Sequence, residues 1–413
     1  MSSSLKLEGL SKASSPSDDA PAATVYPLGD EEQKSLTKAA LSHINSMVHH
    51  INDHPDQPFR PPPECPASDV FKAVRVGSRN SKMALIQTSS VAAALYKAHH
   101  GFFTFPVSTH SVQGDRDKTS AFRDLAKAHG NKQTAADTAK SLWTLEIEAR
   151  LLAGDIDLIV HSLKDVPTTL PDGCEIGAFP HRNDPTDALL VKAGLPYKSL
   201  EELPAGSVVG TCSVRRTAQL RHYCPHLIIQ ECRGNVDTRV AKLDANDSPY
   251  TAIVVAAAGI VRLNLEHRIT QRLSGPAYTY AVGQGALGIE IRKEDQKARE
   301  LVACIDHWPT RVRCLAERAL LRFLQGGCSA PIGVHSAFVR TPAKGEPNVN
   351  DNHYEGTLYL TGTLLHPDGG MEIRAHEKGQ VKCTADSETI GKSVGKKILD
   401  LGGAQILDIF KAM

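Results

Sequence analysis

Ile156-Asp-Leu-Ile-Val160 runs directly into His161-Ser-Leu-Lys-Asp-Val-Pro-Thr-Thr-Leu-Pro-Asp-Gly173. The first five residues are an apolar run that reads as a buried strand. The polar stretch that follows sits where open α/β sheets bind ligands, at the carboxyl end of a strand. Lys164 and Asp165 are adjacent there, and Pro167 stops regular structure from continuing far. An ion pair in such a crevice is expensive to desolvate, which points to chemistry or anion binding. A surface loop with two ordinary charges is the plainer reading of this segment alone.

Outward from it, short β-rich runs alternate with helical stretches. Strands are expected over 74–77, 102–107 and 156–160, and helices over 81–98 and 141–152. The alternation continues with strands over 207–210, 227–229 and 252–256 and a helix over 214–223. Such alternation indicates α/β domains. After about Trp308 the pattern changes to a helix over 311–324, strand-like runs over 332–339 and 354–365, and a helix over 388–401. That is the pattern of a smaller α+β domain, with 340–352 as an exposed polar insertion.

The chain has 413 residues, enough for two or three domains. A formal charge of +1 argues against a nucleic-acid binder driven by bulk charge. No apolar run approaches the roughly 18–20 residues that span a bilayer. The nine cysteines are scattered and form no CxxC pair, so neither a zinc site nor a thioredoxin motif is signalled. Without a secretory signal, a reducing cytosol is the expected compartment. Residues 1–30 are rich in Ser, Ala, Pro and Asp and read as disordered. One helix is expected over 31–51, followed by a Pro-rich linker. This extension has no Arg before Arg60 and carries several acids, unlike a transit peptide. His50 and His54 have helical metal-pair spacing, but Pro55 ends the helix and no metal role is assigned.

Arginines mark four expected strand-to-helix junctions: Gly77-Ser-Arg79-Asn-Ser81, Gly210-Thr-Cys-Ser-Val-Arg215-Arg216, Arg233-Gly-Asn-Val-Asp-Thr-Arg239 and Gly259-Ile-Val-Arg262. Gly lets a backbone approach a ligand, hydroxyls and helix N-termini bind anions, and Arg offers a planar fork for carboxylate or phosphate. One such junction is weak evidence; four suggest a ligand with several anionic groups. Gly283-Gln-Gly-Ala-Leu-Gly288 matches the dinucleotide fingerprint, but Ile289-Glu-Ile-Arg292 after it reads as a strand, so nucleotide binding is not expected. Gly326-Gly-Cys328-Ser-Ala-Pro331 places a thiol in a bare loop. That thiol is either reachable and reactive or a small buried hydrophobe, and Cys212 sits in a similar Gly/Ser loop.

Together these segments closely resemble the hydroxymethylbilane synthase family, also called porphobilinogen deaminase. The resemblance runs from about Val74 to the C-terminus. It rests on Arg75-Val-Gly-Ser-Arg79, His161-Ser-Leu-Lys-Asp-Val-Pro167, Ser213-Val-Arg-Arg216, Arg233-Gly-Asn235, Ala281-Val-Gly-Gln-Gly-Ala286, Glu317-Arg-Ala319 and Gly326-Gly-Cys328-Ser329. It implies two periplasmic-binding-protein-like (type II) α/β domains with the active site between them, plus a smaller α+β C-terminal domain carrying a cofactor loop. The boundaries expected are 1–71 for the extension, 72–182 with 283–306 for the first domain, 183–282 for the second and 307–413 for the third.

The resemblance implies head-to-tail joining of four porphobilinogen molecules with loss of ammonia, then hydrolysis to a linear tetrapyrrole. It implies a dipyrromethane cofactor held by a thioether to Cys328. Lys164, Ser162, Arg215, Arg216, Ser213, Arg239 and Gln284 would contact that cofactor, and Arg79, Ser81, Gln87, Arg233 and Arg262 the substrate. Asp165 would be catalytic, stabilising the azafulvenium cation left when ammonia departs and helping to move protons. A cytoplasmic monomer binding neither metal, membrane nor nucleic acid is implied.

Some positions depart from the family pattern. Cys212 stands where Ser or Thr is usual and is a poorer hydrogen-bond partner. Val112-Gln113 stands where a Thr is general, and Leu145 where a Lys is common. The segment 117–140 is longer than the resemblance implies and is expected to act as a lid. Two rivals remain. A non-enzymatic binding protein for a polycarboxylate would explain the α/β domains and junctions without needing Asp165 or Cys328. An RNA-binding protein would use the arginines, but the balanced charge and the lack of aromatic stacking motifs weigh against it.

Overall fold

The computed structural model describes residues 72–99, 102–110, 144–325, 330–341 and 354–412. The expected N-terminal helix, the lid segment and Val112-Gln113 lie outside the described residues. Among the described residues no helix is long and apolar enough to cross a membrane.

The first part of the chain supplies β1 (Lys72–Ala73), β2 (Val76–Arg79), α1 (Lys82–Ala98), β3 (Phe103–Thr104), β4 (Val107–His110), α2 (Leu145–Leu152), β5 (Leu158–Ser162) and β6 (Cys174–Ala178). The strand expected over 102–107 is two strands. β3 pairs with β1 and β4 with β2, and Pro106 between them has no N–H to give a ladder. The strand expected over 156–160 runs from Leu158 to Ser162, which carries it into the polar motif.

The chain then forms β7 (Asp187–Val191), β8 (Val208–Gly210), α3 (Val214–Tyr223), β9 (Ile228–Gln230), α4 (Val236–Asp244), β10 (Ala252–Ala256), α5 (Ala257–Arg262) and β11 (Gln271–Leu273). It returns to the first sheet with β12 (Leu287–Arg292) and α6 (Gln296–Ala303). The two sheets run β4-β2-β5-β12-β6 and β9-β8-β10-β7-β11. Each has the same order, with one strand antiparallel to its neighbours: β12 in the first and β7 in the second. Those are the strands the chain lays down just after each crossing between the sheets. This is the arrangement of two α/β lobes that the family resemblance implies. Apolar residues back each sheet, with Val76, Leu158, Val160 and Ile289 in the first core and Leu189, Val209 and Val254 in the second.

The last part packs α7 (Trp308–Phe323) and, further on, α8 (Thr384–Ile398) against an antiparallel sheet of β13 (Ile332–Arg340), β14 (Gly356–Leu365) and β15 (Glu372–Val381). Helix α7 begins earlier than expected because Pro309 suits its first turn and Trp308 is buried there, donating Nε1–H to the Tyr354 carbonyl at 2.9 Å. The final helix expected over 388–401 begins instead at Thr384. Its start is set by Asp386, whose carboxylate accepts the N–H of Lys382 and of Cys383. It breaks at Gly402, with φ 94°, before α9 (Ala404–Ala412).

Candidate active site

The carboxyl ends of the parallel strands of both sheets open on one cleft of about 320 Å³. From the first lobe come Arg79 at the end of β2, Ser81 and Gln87 of the α1 start, and Ser162 at the end of β5. Ser81 caps α1, its Oγ accepting from Ala84 N at 3.3 Å. Ser162 donates Oγ–H to Gln87 Oε1 at 2.9 Å. The single turn Leu163–Asp165 then presents Lys164 and Asp165 to the cleft. Leu163 is its buried anchor, and its N–H bonds Ala286 O at 3.0 Å. Neither Lys164 nor Asp165 has a side-chain hydrogen bond or ion pair among the described residues. Burial pulls the Lys164 ammonium below its ordinary value, with Asp165 opposing the shift and Arg216 adding to it.

The second lobe contributes Arg216, Arg239 and Arg262 to the same cleft. A second chamber of about 240 Å³ shares Lys164, Asp165, Arg216 and Arg239. It adds Cys212, Ser213, Arg215 and Gln284, with Leu321, Ala330 and Ile332 from the third part of the chain. Cys328 lies outside the described residues, and Ala330 is the first described residue after it.

Arg215 and Arg216 do not stand as open forks. Arg215 Nη1 donates to Asp187 Oδ2 at 2.8 Å and to Thr279 O at 2.6 Å. Arg216 Nη2 donates to Asp187 Oδ1 at 2.7 Å, and Gln284 Nε2 donates to the same oxygen at 2.8 Å. Burial opposes the charge on Asp187, but the two guanidiniums outweigh it and hold the carboxyl well below its usual range. Both Arg Nε atoms are buried with no hydrogen-bond partner among the described residues. Sequence reasoning missed Asp187. Its only local signal is an acid at the head of the apolar run Asp187-Ala-Leu-Leu-Val191.

Of the four expected junctions, Gly259-Ile-Val-Arg262 lies inside α5, so Arg262 arrives as the last residue of a helix. It donates to Asn183 Oδ1 at 2.7 Å and to Gly285 O at 2.8 Å, and burial lowers it to about 10. Arg239 Nε donates to Gly234 O at 2.7 Å. Arg233 is not among the residues lining the cleft; its Nε donates to Glu231 at 2.6 Å, and Gly234 and Asn235 line the wall there. The Gly283–Gly288 loop leads into β12, as expected, and not into a helix. At Gly285, φ is 81° and a Cβ would stand 2.5 Å from Asn183 O, so only glycine fits.

Glu317, from the motif Glu317-Arg-Ala319, fastens this loop from beneath. It binds Arg182 at 2.6 and 3.0 Å and accepts from Gly283 N at 2.9 Å and Ser336 Oγ at 2.6 Å. Arg182 in turn donates Nε–H to Gln284 O at 2.8 Å.

Residues 74–300 match the family model described as porphobilinogen deaminase, dipyromethane cofactor binding domain, and residues 311–400 match the porphobilinogen deaminase C-terminal domain. The chain is 42% identical over 340 residues to a porphobilinogen deaminase of Yarrowia lipolytica, covering 81% of this chain and 92% of the relative. It is 42% identical over 341 residues to one of Synechococcus elongatus, covering 83% and 96%. Among solved structures it is similar to the periplasmic aliphatic sulphonate binding protein of Escherichia coli, at 14% identity and TM-score 0.32, over 61% of this chain and 74% of that one.

Proposed function

The chain belongs to the porphobilinogen deaminase family, and we propose on that premise that it is a transferase joining four porphobilinogen molecules into hydroxymethylbilane. One observation carries the reading: Lys164 and Asp165 from one lobe meet Arg216, Arg239 and Arg262 from the other in a single cleft. Each pyrrole of the substrate bears two carboxylates, so the bound chain is a polyanion that suits this wall. Incubation with porphobilinogen should release ammonia and yield the linear tetrapyrrole; absence of both would sink the reading. A binding protein would need neither Asp165 nor a cofactor thiol. We further propose a cytoplasmic monomer with domains at 72–182 plus 283–306, 183–282 and 307–413.

The donor set fits the dipyrromethane. Arg215 and Arg216 keep buried Nε–H groups without partners among the described residues, and Ser213, Lys164 and Arg239 line the same chamber as Ala330. When bound through Cys328, the group supplies the free pyrrole carbon at which the first coupling occurs. Lys164, Ser162, Ser213, Arg215, Arg216, Arg239 and Gln284 would hold it; Arg79, Ser81, Gln87 and Arg262 would hold substrate carboxylates, whereas Arg233 stands off the cleft wall, bound to Glu231. Asp165 places a negative charge where positive charge grows as ammonia leaves the substrate. Asp187 fixes the Arg215–Arg216 pair at the wall of that chamber.

Intact mass should exceed the sequence mass by one dipyrromethane, and Cys328→Ser should lose that increment. Active wild-type protein at the bare sequence mass would defeat the thioether. Arg216→Ala should leave much of the protein without the increment, because a charge-assisted bond worth about 1.5–3 kcal/mol is removed and Asp187 loses a partner. Unchanged loading together with unchanged KM would remove Arg216 from the clamp.

A further inference from the structure

Three ionisable groups behind the cleft floor have no part in the chemistry above. His161 on β5 stands opposite Gly288 of β12, and Glu290 lies two residues along on the same side of that sheet. The ring binds Glu290, Nε2 to Oε2, at 2.7 Å. Glu148 reaches this side from α2, whose Ile147 and Leu151 pack on Ile156 and Ile159. His161, Glu148 and Glu290 are 5%, 1% and 0% exposed.

Both oxygens of Glu148, Oε1 of Glu290 and Oγ1 of Thr144 make no well-formed hydrogen bond among the described residues, although the Thr144 hydroxyl still favours the charged form of Glu148. Thr144 and His161 also line the cleft, so this buried group borders it. Two carboxylates that influence each other in such a setting do not both stay charged near neutral pH. Burial first, and the Glu290 charge second, push the Glu148 carboxyl up to about 8. The neighbouring strand contributes Cys174 of β6, whose thiol is pushed up to about 12 by burial and by Glu290, with Arg292 of β12 acting in the opposite sense. An apolar residue would fill the Glu148 position at lower cost, so packing does not account for it.

Resting on the condensation reading, we propose that Glu148, Glu290 and His161 form one proton-holding chain that opens on the cleft at His161 and takes up the proton displaced at each coupling. The balance is as follows. The substrate aminomethyl group enters as ammonium; its C–N bond breaks and the electron pair leaves on neutral ammonia. The pyrrole carbon attacked forms the new C–C bond, and its C–H bond then breaks, returning that pair to the ring. The proton passes to His161, whose positive charge Glu290 offsets, and then to ammonia, giving ammonium and resetting the chain. With Glu148 neutral, one negative charge faces the imidazolium. With Glu148 ionised, two do, and the proton is not handed back. Glu148 and Glu290 act through His161 and are positioning residues.

The test uses the cofactor-loaded full chain. Infrared spectra should show a buried carboxylic acid that titrates near pH 8 and is missing in Glu148→Gln. The wild-type kcat should fall on the alkaline side near that pH. Glu148→Gln should move this limb up by about one pH unit or more without changing KM, and Glu148→Asp should restore it. Superimposable kcat profiles for wild type and Glu148→Gln overturn the proposal. Glu290→Gln is the second variant, expected to lower kcat about tenfold or more at unchanged KM and cofactor mass; an unaltered kcat overturns the proposal. Wild-type protein that shows the infrared band but releases no ammonia overturns the condensation reading and this role with it. Release of ammonia by wild-type protein that lacks the band overturns this role alone.

Discussion

Asp165→Asn is expected to keep the mass increment of the loaded enzyme while kcat falls by roughly a hundred- to ten-thousandfold. Asn has nearly the same shape, so the change removes charge and little else. The turn that presents Asp165 is held by buried Leu163 and by the Leu163 N–H to Ala286 O bond at 3.0 Å, neither of which the substitution touches. What disappears is a fixed negative charge among low-dielectric walls, where its effect on a developing cation is larger than in water. A carboxylate aimed at charge that exists only in the transition state affects kcat more than KM. Asp165→Glu keeps the charge but moves it along the side chain by about an ångström, and a misplacement of that size costs about a hundredfold. Near-wild-type kcat in Asp165→Asn, measured as ammonia released from porphobilinogen, would take Asp165 out of the chemistry.

The Asp165 turn was legible because its signals are local. An apolar strand, a polar motif and a proline follow one another within a dozen residues. Helix α3 was legible for the same reason: Ser213 caps it, its Oγ accepting from Arg216 N at 3.5 Å, and the helix fills the expected span Val214–Tyr223. Strand β7 was not seen. Asp187-Ala-Leu-Leu-Val191 is buried throughout, so no alternation marks it. Strand β15 was hidden for the opposite reason, since Glu372–Val381 carries charges on a face open to solvent. The site shows the same division. Arg215 and Arg216 are visible as residues, but Asp187, which orients them, lies 28 positions from Arg215. Glu148, Glu290 and His161 come from three separate elements and meet only after folding. Periodicity reports an element and its faces; it does not report which buried charge answers another across the fold.

Glu317→Ala is expected to lower the unfolding free energy by about 3–5 kcal/mol, because it leaves the Arg182 guanidinium buried and unpaired. The Arg182 side chain is 2% exposed and that of Glu317 is 0%. Water therefore cannot replace the lost partner. The same carboxylate accepts from Gly283 N and Ser336 Oγ, so the loop carrying Gln284 and the third domain's first strand both lose an anchor. Cofactor loading should drop with stability for that reason. Replacing both charges, Arg182→Met with Glu317→Leu, should recover part of the loss, since no unpaired ion remains. Recovery stays incomplete because the Gly283 N–H and the Ser336 hydroxyl are still buried without that acceptor. The pH dependence has a definite sign. Burial works against the Glu317 charge, but Arg182 outweighs it and holds the folded-state carboxyl below its ordinary value near 4.5. The pair's stabilisation is therefore fully present above that value and is lost as pH falls through the depressed folded value. Urea midpoints measured across the acid range should fall more steeply for wild type than for the double variant. A Glu317→Ala protein within about 1 kcal/mol of wild type would mean that the fold relaxes around Arg182, and that this ion pair is not what ties the third domain to the cleft.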